Sequence, residues 1–386
     1  MTANGRRLLW VCAGLSTFGI VACSTVWGFD DLTGSEADAA SDEASADGSS
    51  ADTGSPDAGF DAGSPDAGLD TGSPDAGPDA APSLVMSCAT SGDGRTNCGS
   101  GSESCCTSLP VTGGTYNRTY TNTGSGPTGE ADPATVSDFR LDKYLVTVGR
   151  FRQFVTAWNN GSGWTPPQAS GKHTHLNAGS GLAATGGGYE SGWLTSDNSN
   201  IAPTNANLAC DASFATWTPS SGGHEKLPIN CVNWYEAAAF CIWDGGFLPS
   251  DAEWEYAAAG GSAEREYPWG PTAPGTNNQY AIYGCNYPSP GSCTGVANIA
   301  PVGTPTAGAG KYGQLDLAGN VWEWNLDWYA GYAACTNCTN ATPSSNRVIR
   351  GDYFSNTASY LQPPLRYDSP PAYRYYGNGF RCARTP

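Results

Sequence analysis

The stretch LPINCVNWYEAAAFCIWDGGFLPSDAEWEYAAAGG, residues 227–261, decides the fold. Asn233 stands before an Ala-rich run with Glu236 three places on, and Gly245 ends it. Ser250 and Glu253 repeat the arrangement, closed by Gly260. In such a capping box the side chain at the cap accepts from the helix backbone while the Glu returns to the cap's own N–H, and each cap contributes ~1 kcal/mol. The spacing therefore predicts two short helices in immediate succession. An earlier one is expected where Phe151, Phe154, Val155 and Trp158 follow helical spacing after Thr147.

Working outward, the pattern changes to short strands and turns. TGGTYNRTY, FRLDKYLVTV, NRVIRGDYF and GFRCAR alternate or run apolar between Gly-rich punctuation. The segment Asn159 to Asn200 reads as an elaborated surface loop able to carry specificity. With 51 Gly, 27 Pro and 13 Trp and only 14% charged residues, the chain is expected to be a loop-rich α+β protein held by aromatics, with low regular secondary structure.

The N-terminus reads as an export address. Arg6-Arg7 precede an apolar run from Leu8 to Ala22, too short for a membrane span. Ile20-Val21-Ala22-Cys23 resembles the bacterial lipobox, whose cysteine is acylated, so residues 1–22 are expected to be a lipoprotein signal and Cys23 the lipid anchor. That implies a bacterial cell-envelope protein, membrane-anchored and facing the periplasm or the exterior. Fourteen carboxylates and no Lys or Arg lie between Asp30 and Asp79, a span that includes nine-residue repeats such as DTGSPDAGF and DAGSPDAGL. Like charges with Pro and Gly oppose collapse, so residues 23–85 are expected to be a disordered linker. The acidity is local to it, and nucleic acid is not an expected partner because no segment offers the net positive charge that phosphate binding uses.

Setting aside Cys12 and Cys23 leaves an even set of cysteines in an oxidising compartment. Plausible disulfides join Cys88, Cys98, Cys105 and Cys106 among themselves, Cys210 with Cys231, Cys285 with Cys293, Cys335 with Cys338, and Cys241 with Cys382. Residues 86–107 form a Cys-rich lead-in to a domain at 108–386.

Five segments in order, FRLDKYLVTVGRF, the stretch at 227–261, YPWG, DLAGNVWEWNLDWY, and RVIRGDYF followed by GFRCAR, together resemble the formylglycine-generating enzyme family, also called the sulfatase-modifying factor family. The resemblance implies a single domain distantly similar to the C-type lectin fold. Enzymes of that family oxidise a cysteine in a Cys-x-Pro-x-Arg peptide of a sulfatase to formylglycine, using oxygen and copper(I) held by two cysteines five residues apart. Here Asn356 and Leu361 stand at the two thiol positions and Tyr353 at the family's active-site serine. Copper(I) needs soft sulfur donors, which an amide and a hydrocarbon do not supply, so copper is not expected. Cys382 matches a disulfide position of the family.

The resemblance also implies a structural Ca2+ held by the side chains of Asp316 and Glu323 and the carbonyls of Gly319 and Val321, oxygen donors that suit a hard cation. The competing reading makes Glu323 a buried carboxylate paired with an arginine such as Arg350. His173 and His175 are either an iron or zinc site or solvated loop residues. The expected function is a surface-tethered pseudoenzyme that binds a peptide, glycan or envelope protein. The alternatives are a formylglycine-generating oxidoreductase and another metal-dependent oxidase using the two histidines.

Overall fold

The computed structural model describes residues 85–99 and 101–386. The export signal, Cys23 and the acidic linker up to residue 84 lie outside the described residues. The chain enters through β1 (Ser108–Val111), β2 (Gly114–Asn122), β3 (Pro127–Val136) and β4 (Phe139–Asp142), then forms helix α1 (Val148–Trp158). Strand β5 (Ala183–Ala184) lies in the Gly-rich insertion, followed by α2 (Asn205–Leu208), α3 (Trp234–Trp243) and α4 (Asp251–Ala259). The last third holds β6 (Trp322–Trp328), β7 (Cys335–Thr336), β8 (Cys338–Thr339) and β9 (Arg347–Arg350). It closes with β10 (Arg366–Ser369), β11 (Asn378–Gly379) and β12 (Ala383–Arg384).

Both capping boxes form. Asn233 Oδ1 accepts from Glu236 N at 2.9 Å while Glu236 takes the Asn233 N–H, and Ser250 and Glu253 do the same at the start of α4. Gly260 ends α4 with φ 71°, a left-handed conformation that glycine adopts without steric cost. Thr147 caps α1 by accepting from Arg150 N. Strand β3 escapes the sequence pattern because Gly129 and Asp132, both at positive φ, interrupt it.

Three- and four-stranded sheets order the rest. In the larger one β10, β9, β6 and β11 lie side by side, with Trp324 opposite Ile349 and Trp328 opposite Arg347. A second sheet, β1-β4-β12, ties the start of the domain to its end by setting Leu141 between Leu109 and Ala383. The β2–β3 hairpin takes up β7, and β5 of the insertion pairs with β8, so the Cys335–Cys338 bridge is held between two ladders.

The main core lies where α1 and α3 meet. Phe151 stacks on Phe240 at 5.7 Å, and Phe380 meets both edge-on. Beside it the lead-in joins the fold rather than preceding it. Cys98 and Cys105 pack with Tyr144, Leu145 and Val321, and Ser87 N donates to Asp244. Arg150 and Arg384 share Asp142 and Asp244 in a buried four-charge cluster, with contacts of 2.7–3.1 Å. Burial alone would raise the Asp244 pKa, but Arg150 and Arg384 outweigh it and hold the carboxyl below its usual range. Removing one member of such a cluster leaves uncompensated buried charge. Arg150→Met should accordingly lower the unfolding free energy by about 3–5 kcal/mol, measured by urea denaturation; a loss under about 1 kcal/mol would show that the cluster relaxes or hydrates instead.

Candidate functional site

Past β9 the backbone turns at Gly351 and Asp352, with φ of 89° and 69°. A Cβ on Gly351 would meet the Trp254 ring at 3.0 Å, so this turn is pressed against α4. Tyr353 accepts hydrogen bonds from Ser355 Oγ and Tyr375 OH at 3.2 and 3.1 Å, and its ring adjoins Trp322, Phe354 and Tyr376. Asn356 Nδ2 donates to Asp352 Oδ1 at 2.7 Å, which spends its amide on the turn. Leu361 is buried among Tyr267, Tyr283 and Ala318. Burial pushes the Asp352 carboxyl up to about 7, against the bonds it accepts from Tyr353 N and Asn356. Tyr367 and Tyr373 extend this aromatic surface into solvent.

The twelve described cysteines form six disulfides: Cys88–Cys106, Cys98–Cys105, Cys210–Cys231, Cys241–Cys382, Cys285–Cys293 and Cys335–Cys338. No free thiol is left among the described residues to stand beside Asn356 and Leu361. The donor set therefore does not fit copper(I).

Asp316 and Glu323 come together, as the fold family implies. Asp316 Oδ2 accepts from Gly303 N at 2.6 Å, whereas Oδ1 is buried without a partner, and burial pushes this carboxyl up to about 6 with Glu323 adding to the shift. Glu323 is paired with Arg381, at 2.6 and 2.9 Å, and not with Arg350. Arg350 instead holds Asp251 and Glu255, each at 2.6 Å, because β9 lies over α4 while Arg381 reaches across from the β11–β12 segment. Arg381 also donates to the carbonyls of Leu315 and Asp316. Each Glu323 oxygen keeps a second lone pair, and with the orphaned Asp316 Oδ1 the all-oxygen set fits a hard cation.

His173 belongs to neither reading made from the sequence. It is fully buried, its Nδ1 3.1 Å from both Glu190 oxygens and its Nε2 3.1 Å from Glu253 Oε2. Burial would lower its pKa, but Glu253 and Glu190 raise it to about 10. The protonated ring thus fastens the insertion to the capping box of α4. His175 lies over Phe247 with both ring nitrogens buried and unpartnered, its pKa lowered first by burial. No cluster of three or more His, Cys, Asp or Glu able to hold a metal occurs among the described residues.

The insertion is not a mere surface loop. Trp193, Leu182 and Leu176 are buried, and the segment walls a cavity of about 290 Å³. Trp234, Tyr235, Ala238 and Ile242, on one face of α3, form its second wall; Leu326, Trp328 and Arg347 come from β6 and β9. The Arg347 guanidinium lies 3.7 Å from the ring centroids of both Trp234 and Trp328. It donates to the Leu326 carbonyl, and its Nε is buried without a partner. Sequence spacing gave no sign of this arrangement because its parts come from four separate segments.

These features define a loop-rich, disulfide-fastened α+β domain built around buried arginine–carboxylate clusters. The sulfatase-modifying factor enzyme 1-like domain family matches residues 98–386, and the chain belongs to that family. The match begins at residue 98 rather than 108, in keeping with the packed lead-in. The formylglycine-generating enzyme of Mus musculus is 32% identical over 184 residues, 44% of this chain and 49% of that protein. The formylglycine-generating enzyme of Streptomyces coelicolor is 34% identical over 170 residues, 42% of this chain and 54% of that protein. The inactive C-alpha-formylglycine-generating enzyme 2 of Bos taurus is 33% identical over 173 residues, 43% and 53%. The chain thus spans about half the length of these relatives. Among solved structures, PvdO from Pseudomonas aeruginosa is 18% identical with a TM-score of 0.45, covering 72% of this chain and 94% of that one.

The His173 staple sets a pH dependence. A folded pKa raised from 6.5 to about 10 contributes stability that is complete below pH 6.5 and is lost as pH climbs through 10. His173→Gln leaves Glu190 and Glu253 without their cation and should cost about 3–5 kcal/mol at pH 6. In thermal melts the gap between variant and parent should narrow steadily toward pH 10; a gap independent of pH would refute the charged-histidine assignment.

Proposed function

We propose that this chain is a non-oxidising member of its family: a rigid domain, tethered at a bacterial cell surface through lipid on Cys23, that binds a peptide, glycan or envelope protein. One observation carries the reading. Every described cysteine is bridged, and the two residues that the resemblance sets at the copper-thiol positions are an amide committed to Asp352 and a buried leucine. The surface around Tyr353, rich in tyrosine and partly exposed, supports a binding role, since aromatic rings supply contact area at low entropic cost. The existence of relatives named as inactive supports it as well.

The alternative, a formylglycine-generating oxidoreductase, is favoured by the relatives that bear that name. Incubating the full-length protein with a Cys-x-Pro-x-Arg peptide, copper(I) and oxygen separates the two. Mass spectrometry should find the peptide cysteine unchanged, and aldehyde formation would reject the non-oxidising reading.

The domain would hold a structural Ca2+ through Asp316, Glu323 and the carbonyls of Gly319 and Val321, support coming from the unpartnered Asp316 Oδ1. An ion that binds only the folded state at a hundred times its Kd stabilises it by about 2.7 kcal/mol. A calcium chelator should therefore lower the melting temperature of the parent by several degrees and leave Asp316→Asn nearly unmoved; equal melting of the parent with and without chelator would eliminate the site.

A further inference from the structure

The cavity between the insertion, α3, β6 and β9 is lined by none of Tyr353, Asn356 and Leu361, and its construction specifies a ligand. We infer that it binds a sugar acid, a monosaccharide ring bearing a carboxylate, with Arg347 taking the carboxylate. This deepens the binding reading above by naming a partner chemistry, and it concerns a site other than the surface around Tyr353.

The charge comes first. Arg150, Arg350, Arg381 and Arg384 each hold at least one carboxylate in an ion pair, whereas Arg347 holds none among the described residues. Its guanidinium is instead clamped between Trp234 and Trp328, with one donor on a backbone carbonyl and Nε unspent. Asp327 and Asp197 attract this cation without an ion-pair contact, and a planar guanidinium fixed by two rings meets a carboxylate bidentately with little further loss of side-chain freedom. The site asks for an anion, and for a flat one.

Size and lining narrow the rest. At ~30 Å³ per water-sized group, about 290 Å³ admits on the order of ten such groups, the scale of one sugar ring. Trp193 and Tyr235 offer apolar surface to the C–H face of a ring, while the Ser170 hydroxyl and the Asp197 carboxylate, also in the lining, offer partners for ring hydroxyls. A neutral sugar would leave Arg347 unpaired, and a flat aromatic acid would leave Ser170 and Asp197 unmatched.

Isothermal titration of the full-length protein with D-glucuronate, with D-glucose and benzoate as controls, tests this. Saturable glucuronate binding is expected, with both controls about tenfold weaker or worse, since one charge-assisted hydrogen bond is enough for that ratio. Arg347→Gln should weaken glucuronate binding at least about tenfold, and Asp197→Asn, which removes a like charge near the bound carboxylate, should tighten it about two- to fivefold. A trigalacturonate binding at least as well as the monomer would assign the site to a glycan end, and weaker binding to the free acid. Absence of saturable glucuronate binding, parity with glucose or benzoate, or indifference to Arg347→Gln overturns the inference. Should Arg347→Gln lose its near-UV dichroism, Asp197→Asn decides alone, and unchanged affinity in that variant overturns it. Aldehyde formation by the same preparation would bear on the non-oxidising reading only.

Discussion

Buried guanidinium groups do in this domain what long hydrogen-bond ladders do in a sheet-rich one. With many strands of only two to four residues, the interior contains backbone carbonyls that no ladder reaches, and unpaired they would each cost free energy comparable to a lost hydrogen bond. Arg381 alone donates to the carbonyls of Asp142, Lys143, Leu315 and Asp316. Arg350 serves Pro363 and Leu365, and Arg374 serves Cys231 and Ala202. Each of these cations must in turn be neutralised, which is why Glu323, Asp251, Glu255 and Glu236 are buried beside them. The disulfides complete this economy of structure by restricting a glycine-rich unfolded chain, the Cys241–Cys382 bridge closing the longest loop.

The turn after β9 is bound into this framework through side chains and backbone alike. Asn356 is tied to Asp352 through its side chain, and its carbonyl accepts from Gly284 N, joining the turn to the loop at Cys285. Leu361 fills a pocket between Tyr267 and Tyr283. These two residues therefore bear structural load in the turn. Tyr353, bonded to Tyr375 and packed on Trp322, covers the same corner with a ring.

What could be read from the sequence was whatever is local. Both capping boxes, the Thr147 cap and the close-spaced cysteine pairs depend on residues a few positions apart, so composition and spacing expose them. The family signature exposed the overall architecture. Hidden were the relations set by distant segments: Glu323 with Arg381 rather than Arg350, and His173 with Glu190 and Glu253. A histidine between two carboxylates from separate segments has no linear signal, because Glu253 already had a sufficient reason to exist in the α4 capping box. The insertion misled for a similar reason: its glycines suggest a solvated loop, yet Trp193 and Leu182 anchor it in the core.

Strand β9 carries the contrast that gives the Trp-lined cavity its meaning. Arg347 and Arg350 are three residues apart, so an extended strand sends them to opposite faces. Arg350 is saturated by two carboxylates, two carbonyls and the Tyr332 hydroxyl, and such a group has no capacity left for a ligand. Arg347 is fixed as firmly, by two indole faces, but those faces screen its charge without consuming its donors. Partial burial lowers its pKa against the pull of Asp327, Tyr235 and Asp197, the sign of a cation that has lost part of its hydration. In a domain where Arg150, Arg350, Arg381 and Arg384 are matched to carboxylates, a rigid cation lining a cavity is a place where an outside anion gains. Fixing the guanidinium beforehand makes that gain available without reorganising the protein.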